Sequence, residues 1–351
     1  MTDPLRVAGI GVGGLAGLEL RLLDDLDGVS VLAGADIDPG AREQFAAASD
    51  GAAVYEEYEA MLSAHGDALD AVNVATPHTL HHEHAAACLD RGLHVHLEKP
   101  MTTTTADAVD LCRRADARDL VLQVGYQRHV HPAYRALRSA VTRGRIGQVH
   151  MATCHLAQDW ISGQAGRWRT DPALSGGGQL IDSGSHLLDA LLWTTDADPR
   201  RVAAVADRQG HAVDVNTALA VTLDGPDGEI TASVGVSGDG TGFDEGLILW
   251  GTDGHLTYGG DGLSVTSPGG ETEPIAVEDD PDFQALTRRK LAAFVEAIRG
   301  DREVVVAGEF GVQVTALTEA AFAAIDEGET IDVRALRDEA AAAVDERRRE
   351  D

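Results

Sequence analysis

The chain has 351 residues, 44% of them hydrophobic and 25% charged, which predicts a folded protein of two domains and excludes disorder as its resting state. Its 58 acidic residues against 28 basic ones leave a net charge of −30, a surface that repels phosphate backbones and anionic membranes; nucleic acid and membrane are therefore excluded as partners. Only Lys99 and Lys290 are lysines, and this skew with the acid excess predicts a salt-rich cytosol, where a Debye length of about 3 Å at 1 M screens self-repulsion; an ordinary acidic protein with arginine-rich coding is the other reading.

In chain order, the first third alternates short apolar runs with helical patterns. Strands are expected at Leu5–Ile10, Val29–Ala35, Ala68–Ala75, Leu93–Leu97 and Leu120–Val124. Between them, helices are expected at Leu15–Leu26, Pro39–Ala48, Glu56–Leu62, His81–Asp90 and Thr105–Arg118. Strands apolar on both faces and separated by helices predict a doubly wound parallel sheet, assigned to a domain of residues 1–125. After Gly125 comes a helix at Pro132–Arg143, then alternating strands at Val149–Leu156, Val202–Asp207, Thr217–Leu223, Ile230–Val236, Phe243–Trp250 and His255–Tyr258. Turn signals between these strands predict an open, largely antiparallel sheet. Helices at Phe283–Arg299 and Gly311–Glu327 complete an α+β domain of residues 126–333, followed by a charged tail helix over residues 334–351. Cys88, Cys112 and Cys154 match no zinc or redox spacing and read as buried thiols in a reducing compartment. The start of the chain lacks the pattern of a signal peptide and no run reaches the 18 or so apolar residues of a membrane span, so a cytoplasmic location is expected.

Gly11-Val12-Gly13-Gly14-Leu15-Ala16 fits G-x-G-x-x-[GA] between a strand and a helix. Gly11 permits the tight turn, Gly13 and Gly14 let a diphosphate approach the backbone, and Ala16 lets the helix pack closely. Asp36 ends the second strand about twenty residues on, where a carboxylate accepts both ribose hydroxyls of NAD and repels the 2′-phosphate of NADP. No arginine follows directly in Asp36-Ile37-Asp38, so NAD is expected over NADP, with Asp38 read as a turn or helix-capping residue. His78, His81, His82 and His84 lack orderly ligand spacing, so no metal site is expected. The loop Thr76-Pro77 is expected to border the cofactor with His81 near it, the other histidines of this group facing solvent. Glu98-Lys99-Pro100 ends a further strand at the ligand-binding edge, where a lysine can stabilise an alkoxide as hydride leaves; a surface ion pair is the plainer alternative. Asp182 and His186 are four residues apart, on one helical face, so the carboxylate can raise the proton affinity of an imidazole base; such a pair is also common as a structural feature.

Taken together these segments resemble the glucose-fructose oxidoreductase/inositol 2-dehydrogenase (Gfo/Idh/MocA) family over nearly the whole chain. The resemblance is carried by Gly11 to Ala16, Ala71-Val72-Asn73-Val74-Ala75-Thr76-Pro77 with His81, and His94 to Pro100. It continues through Gly125-Tyr126-Gln127-Arg128 with Pro132, Gly144-Arg145-Ile146-Gly147, and Gly176 to His186. It implies a Rossmann domain followed by an open sheet that serves as a homodimer or homotetramer interface. It also implies a catalytic set of Lys99, Asp182 and His186, with Glu98 beside the cofactor. The family's substrate pocket would fall on Trp160, Arg167, Trp168, Arg169 and His155, with Tyr126, Arg128 and His129 as further candidates. The activity implied is NAD-dependent hydride transfer from a secondary alcohol of a sugar, polyol or cyclitol. A non-catalytic NAD- and sugar-binding regulator, or a member using NAD transiently for lyase or hydrolase chemistry, are the alternatives.

Overall fold

The computed structural model describes residues 4–49 and 51–350, and divides them between two units. Met1, Thr2, Asp3, Asp50 and Asp351, which the expected domain ranges include, lie outside the described residues. Of the described residues, the first unit takes in those within 4–102, 107–127 and 281–311, and the second those within 103–106, 128–280 and 312–350.

In the first unit the strands are β1 (Leu5–Ile10), β2 (Val29–Ala35), β3 (Ala53–Tyr55), β4 (Ala71–Val74), β5 (His94–Leu97) and β6 (Leu122–Val124), all parallel, in the order β3-β2-β1-β4-β5-β6. The intervening helices are α1 (Gly14–Asp24), α2 (Pro39–Ala48), α3 (Tyr58–His65), α4 (His81–Leu89) and α5 (Thr105–Asp116). Strand order reverses between β1 and β4, and Ile10 pairs with Val74, which pairs with Leu97. The turn after β1, the Thr76-Pro77 loop after β4 and Lys99 after β5 therefore leave the sheet at one level along its carboxyl edge, where such sheets take ligands. The strand β3 was not expected, because three residues are too few to show a period, and α3 starts at Tyr58 rather than Glu56.

The expected domain boundary needs correcting at one helix. The helix expected at Phe283–Arg299 forms as α10 (Phe283–Ile298), but it belongs to the first unit. Leu291, Phe294 and Val295 pack with Leu20, Leu23, Val7 and Ala71 in its core. An apolar stripe at helical spacing states that one face is covered, not which sheet covers it. The segment after α10 then closes the sheet: Val124 N–H donates to the Val306 carbonyl at 2.9 Å along the β6 edge.

The second unit carries the helices α6 (Pro132–Thr142), α7 (Trp160–Gln164), α8 (Pro172–Ser175), α9 (Ser185–Thr195), α11 (Gly308–Glu327, its first turn in the first unit) and α12 (Val333–Glu350). Its strands are β7 (Val149–Asp159), β8 (Asp198–Asp207), β9 (Asn216–Gly225), β10 (Gly228–Ser237), β11 (Asp239–Gly251), β12 (Gly254–Gly259), β13 (Gly262–Thr266), β14 (Thr272–Pro274) and β15 (Ile331–Asp332). They form one sheet in the order β14-β13-β12-β11-β7-β10-β9-β8-β15, antiparallel except for the β7–β10 pair. Ala152, Cys154 and Leu156 of β7 are buried on the face toward α9, while Met151 and His155 point to the opposite face, which is open. The three cysteines are buried and unlinked. Among the described residues no helix is long and apolar enough to cross a membrane.

Candidate cofactor and active site

The turn after β1 is shaped for close approach. Gly11 sits at φ +80°, and a Cβ there would lie 2.5 Å from the Ala75 carbonyl oxygen, so only glycine fits. α1 starts at Gly14 with no side chain capping its first turn and no acidic residue in it, which leaves its amide groups and positive dipole end for an anion. Asp36, half-buried at the end of β2, faces this turn: its Oδ2 accepts from Val12 N at 2.9 Å and its Oδ1 from Asp38 N at 2.9 Å. A carboxylate has about four lone-pair sites, so two bonds leave acceptors for ribose hydroxyls. Asp38 accepts from Gly40 N at 2.8 Å and so starts α2, as a capping residue. Arg42, which the sequence reading passed over, folds back along α2, donating to the Asp36 carbonyl at 2.7 Å and the Ile37 carbonyl at 3.1 Å.

The histidine segment differs from expectation. His78 and His84 are buried, not solvent-facing, His84 Nδ1 lying 2.9 Å from the Thr76 hydroxyl and its ring edge-on to Tyr58. His82 is half-buried against Asp110. His81, only 1% exposed, turns Nδ1 to the Pro100 carbonyl at 2.7 Å and Nε2 to the Thr76 carbonyl at 2.9 Å. Burial holds its pKa below the usual range, against the pull of those two carbonyls. The neutral ring carries one N–H, so it donates to one of these carbonyls and packs against the other, and His81 sits between the Thr76 and Pro100 loops. Glu98 is 6% exposed, and its carboxylate is paired with Lys290.

In the second unit the glycine run is a shaped turn. A Cβ at Gly178 would lie 2.0 Å from the Asp214 carbonyl oxygen, and the buried Asp214 carboxylate accepts from Gly178 N at 2.7 Å and Leu180 N at 2.8 Å. Leu180–Gly184 then forms a π-helical turn running into α9, so Asp182 and His186 straddle this junction instead of sharing a regular α-helix; such turns recur at functional sites. Asp182 Oδ2 accepts from Trp160 Nε1 at 2.7 Å and lies 3.1 Å from Arg169 Nε, and the Arg169 guanidinium stands 4.3 Å from the Trp168 ring centre. Trp160, Trp168 and Arg169 therefore gather around Asp182. Gln158 Nε2 donates to the Ser183 hydroxyl beside them at 2.6 Å.

Three other candidates fall elsewhere. His155 projects from the open face of β7, half-exposed and 3.1 Å from Asp244, on the other side of the sheet from Leu156. Arg128 is buried in a two-bond pair with Glu245, its guanidinium 5.4 Å from the Tyr134 ring centre. Its donors thus meet a carboxylate of its own fold. Tyr126 is buried at the end of β6, in the first unit.

A parallel six-stranded sheet with a glycine turn, an uncapped helix start and an acid at the end of β2 defines an NAD(P)-binding Rossmann domain. Comparison with known proteins agrees: residues 5–126 match the oxidoreductase family with an NAD-binding Rossmann fold, and residues 134–257 match the GFO/IDH/MocA C-terminal domain. The chain belongs to the Gfo/Idh/MocA family of oxidoreductases. It is 30% identical to a dTDP-3,4-didehydro-2,6-dideoxy-alpha-D-glucose 3-reductase of Streptomyces violaceoruber over 312 residues, 85% of this chain and 87% of that one. It is 27% identical to the scyllo-inositol 2-dehydrogenase (NADP(+)) IolW of Bacillus subtilis over 288 residues, 75% of this chain and 79% of that one. The fold matches an inositol dehydrogenase homolog complexed with NAD+ from Azotobacter vinelandii at a TM-score of 0.82 and 23% identity, covering 95% of this chain and 98% of that one.

Proposed function

We propose that the protein oxidises a secondary alcohol of a sugar, polyol or cyclitol, with NAD as the hydride acceptor. The observation that carries this reading is the register Ile10–Val74–Leu97, which brings the glycine turn and Lys99 to the same edge of one sheet. The nicotinamide, when bound, supplies the hydride-accepting carbon. Lys99 donates to the substrate oxygen and stabilises the negative charge that develops there; His186 takes the hydroxyl proton. Asp182, held by Trp160 and Arg169, orients His186, and the indole and guanidinium groups beside it line the substrate side. Asp36 selects NAD, since the 2′-phosphate of NADP would set like charges within a few ångströms of its carboxylate. Arg42 Nη1 is held by the Asp36 and Ile37 carbonyls, on the chain side of that carboxylate. The NADP(+) in the name of the Bacillus relative makes this choice of cofactor the part most open to a direct measurement.

The open face of the second sheet is read as the surface on which copies of the chain associate, and the acid excess as adaptation to a salt-rich cytoplasm. The deciding experiment is a panel of polyols, cyclitols and aldoses assayed for NADH and NADPH production at high salt, on the wild type and on Lys99→Met. The variant is expected to bind NAD as the wild type does and to lose about 10²–10⁴-fold in kcat, the range of a positioned acid–base group. Unchanged turnover would remove Lys99 from the mechanism, and a silent panel would remove the dehydrogenase reading.

A further inference from the structure

The second of the chain's two lysines lies inside the first unit. α10 places Lys290, 3% exposed, between carboxylates from two other elements. Its Nζ donates to Glu19 Oε1 on α1 at 2.7 Å and to Glu98 Oε1 just past β5. Its backbone carbonyl accepts from Gln123 Nε2 on β6 at 3.1 Å, tying the same residue to a third element. The polar chain continues inward: Glu19 Oε2 accepts from Asn73 Nδ2 at 3.1 Å, and Asn73 Oδ1 lies 2.8 Å from His96 Nδ1.

Burying three ionisable groups carries a desolvation penalty that their mutual attraction often fails to recover, and apolar side chains of similar volume would hold α10 as well. What the ions supply in addition is direction. With Oε1 fixed by Lys290, the Glu98 carboxylate presents Oε2 to the Lys99 backbone N–H, which donates to it at 3.1 Å. Gly125 leaves room for this: a Cβ there would lie 2.5 Å from Glu98 Oε1. Glu19 belongs to the helix that starts at the dinucleotide turn, so the cluster also joins that helix to the Lys99 loop.

We propose that Lys290 is a positioning residue for Lys99: by fixing Glu98 between α1 and the sheet, it sets the backbone from which the Lys99 side chain projects. The consequence for turnover rests on the reading of Lys99 given above; the consequence for the loop rests on the hydrogen bonds alone. Burial raises the pKa of Glu98, but the Lys290 ammonium outweighs it and holds this carboxyl well below its ordinary range, so the ion that grips Lys290 persists through neutral pH.

Two readouts separate the two consequences. Hydrogen exchange needs no substrate: Lys290→Met is expected to speed exchange of the Lys99 amide at least about tenfold, with the Gly11–Ala16 turn changed by less than about twofold. General loosening would raise both. Lys290→Arg, which keeps the charge, is expected to return the Lys99 amide to within about threefold of wild type. In turnover, Lys290→Met should lower kcat about 10²-fold, the cost of a misplacement near 1 Å, while KM for NAD stays within about threefold. If Lys290→Met does not fold, Gly125→Ala displaces the Glu98 carboxylate with every charge retained, and the same gain in exchange is expected. Wild-type exchange at Lys99 in folded Lys290→Met, or in Gly125→Ala, overturns the proposal. So does faster exchange with kcat unchanged where Lys99→Met has lost turnover; where Lys99→Met turns over as the wild type does, the same result overturns the reading of Lys99 instead. A wild type silent on every substrate would sink the dehydrogenase reading and leave the exchange result to decide the positioning.

Discussion

In the first sheet consecutive residues are buried on both faces, Val72, Asn73 and Val74 on β4 and Val95, His96 and Leu97 on β5, whereas β7 and β9 of the second bury only alternate residues. The difference decides how each region handles polar groups. Between two covered faces a polar side chain must find its partner inside, and Glu19, Asn73, His96, Glu98 and Lys290 find one another. The second sheet can turn His155, Thr153 and Ser233 outward, so its covered face stays largely apolar. Polar groups inside the first sheet therefore constrain geometry, and those on the open face of the second remain available to solvent or a partner.

Removing apolar volume from the doubly covered sheet should break the first region most. Leu122 on β6 is buried, packed beside Gly308, where a Cβ would lie 3.0 Å from its Cδ2. Leu122→Ala leaves a void closed on both sides, so a loss of about 2–5 kcal/mol in unfolding free energy is expected by urea titration. A loss below about 1 kcal/mol would mean that the segment after α10 collapses into the gap.

A smaller effect, with a pH signature, is expected at Glu19. Burial pushes its carboxyl up to about 7 from an ordinary 4.5, although the Lys290 ammonium pulls it down. The unfolded chain releases this proton near the ordinary value and the folded protein only near 7, so Glu19 costs the fold more stability as pH rises across that window. Below the window both states hold the proton and the cost vanishes. Lys290 and Glu98 are common to wild type and Glu19→Gln, and His96, pushed down by burial to about 3, stays neutral in both. The stability of wild type relative to Glu19→Gln should therefore fall between about pH 4.5 and about pH 7 and level off above it, followed by urea titration at constant salt. A difference that is flat or rises with pH would place the proton elsewhere in the cluster.

How much of this was legible in the sequence follows the same division. The glycine turn, Asp36 and the strand ending at Lys99 were readable because each is a local pattern, a strand and then the residues at its end. The home of α10 was not, because an amphipathic stripe names no partner, and with it went the roles of Lys290 and Glu98, which meet across 192 positions. His81 was placed beside the right loop, but nothing local shows that two carbonyls will face its ring. His155 could have been excluded: in β7 the apolar Ala152, Cys154 and Leu156 alternate with Met151, Thr153 and His155, and that parity sends His155 away from the covered face. The contacts of Trp160 and Arg169 with Asp182 are not legible in the sequence, and the π-helical turn that presents Asp182 leaves no mark in spacing.

The open face itself offers the smallest expected change in stability and a clear change in assembly. Val205 on β8, 69% exposed, pairs with Ala218, which pairs with Gly235, which pairs with His155. This row of small residues floors a groove of about 470 Å³ between Val205 and His155, with Asp207 at one end. Asp207 is the one carboxylate among the residues lining this groove, with Asp244 beside His155, so in a chain of net charge −30 the groove floor is where two copies would approach at low electrostatic cost. Val205→Asp should leave the unfolding free energy of the chain within about 0.5 kcal/mol, as befits an exposed position. It should nevertheless convert a wild-type assembly to 36.9 kDa monomers in light scattering, more completely at low salt than at about 1 M, where the Debye length is about 3 Å. A wild type already monomeric at high salt, or a variant that assembles as the wild type does, would show that copies do not meet on this face.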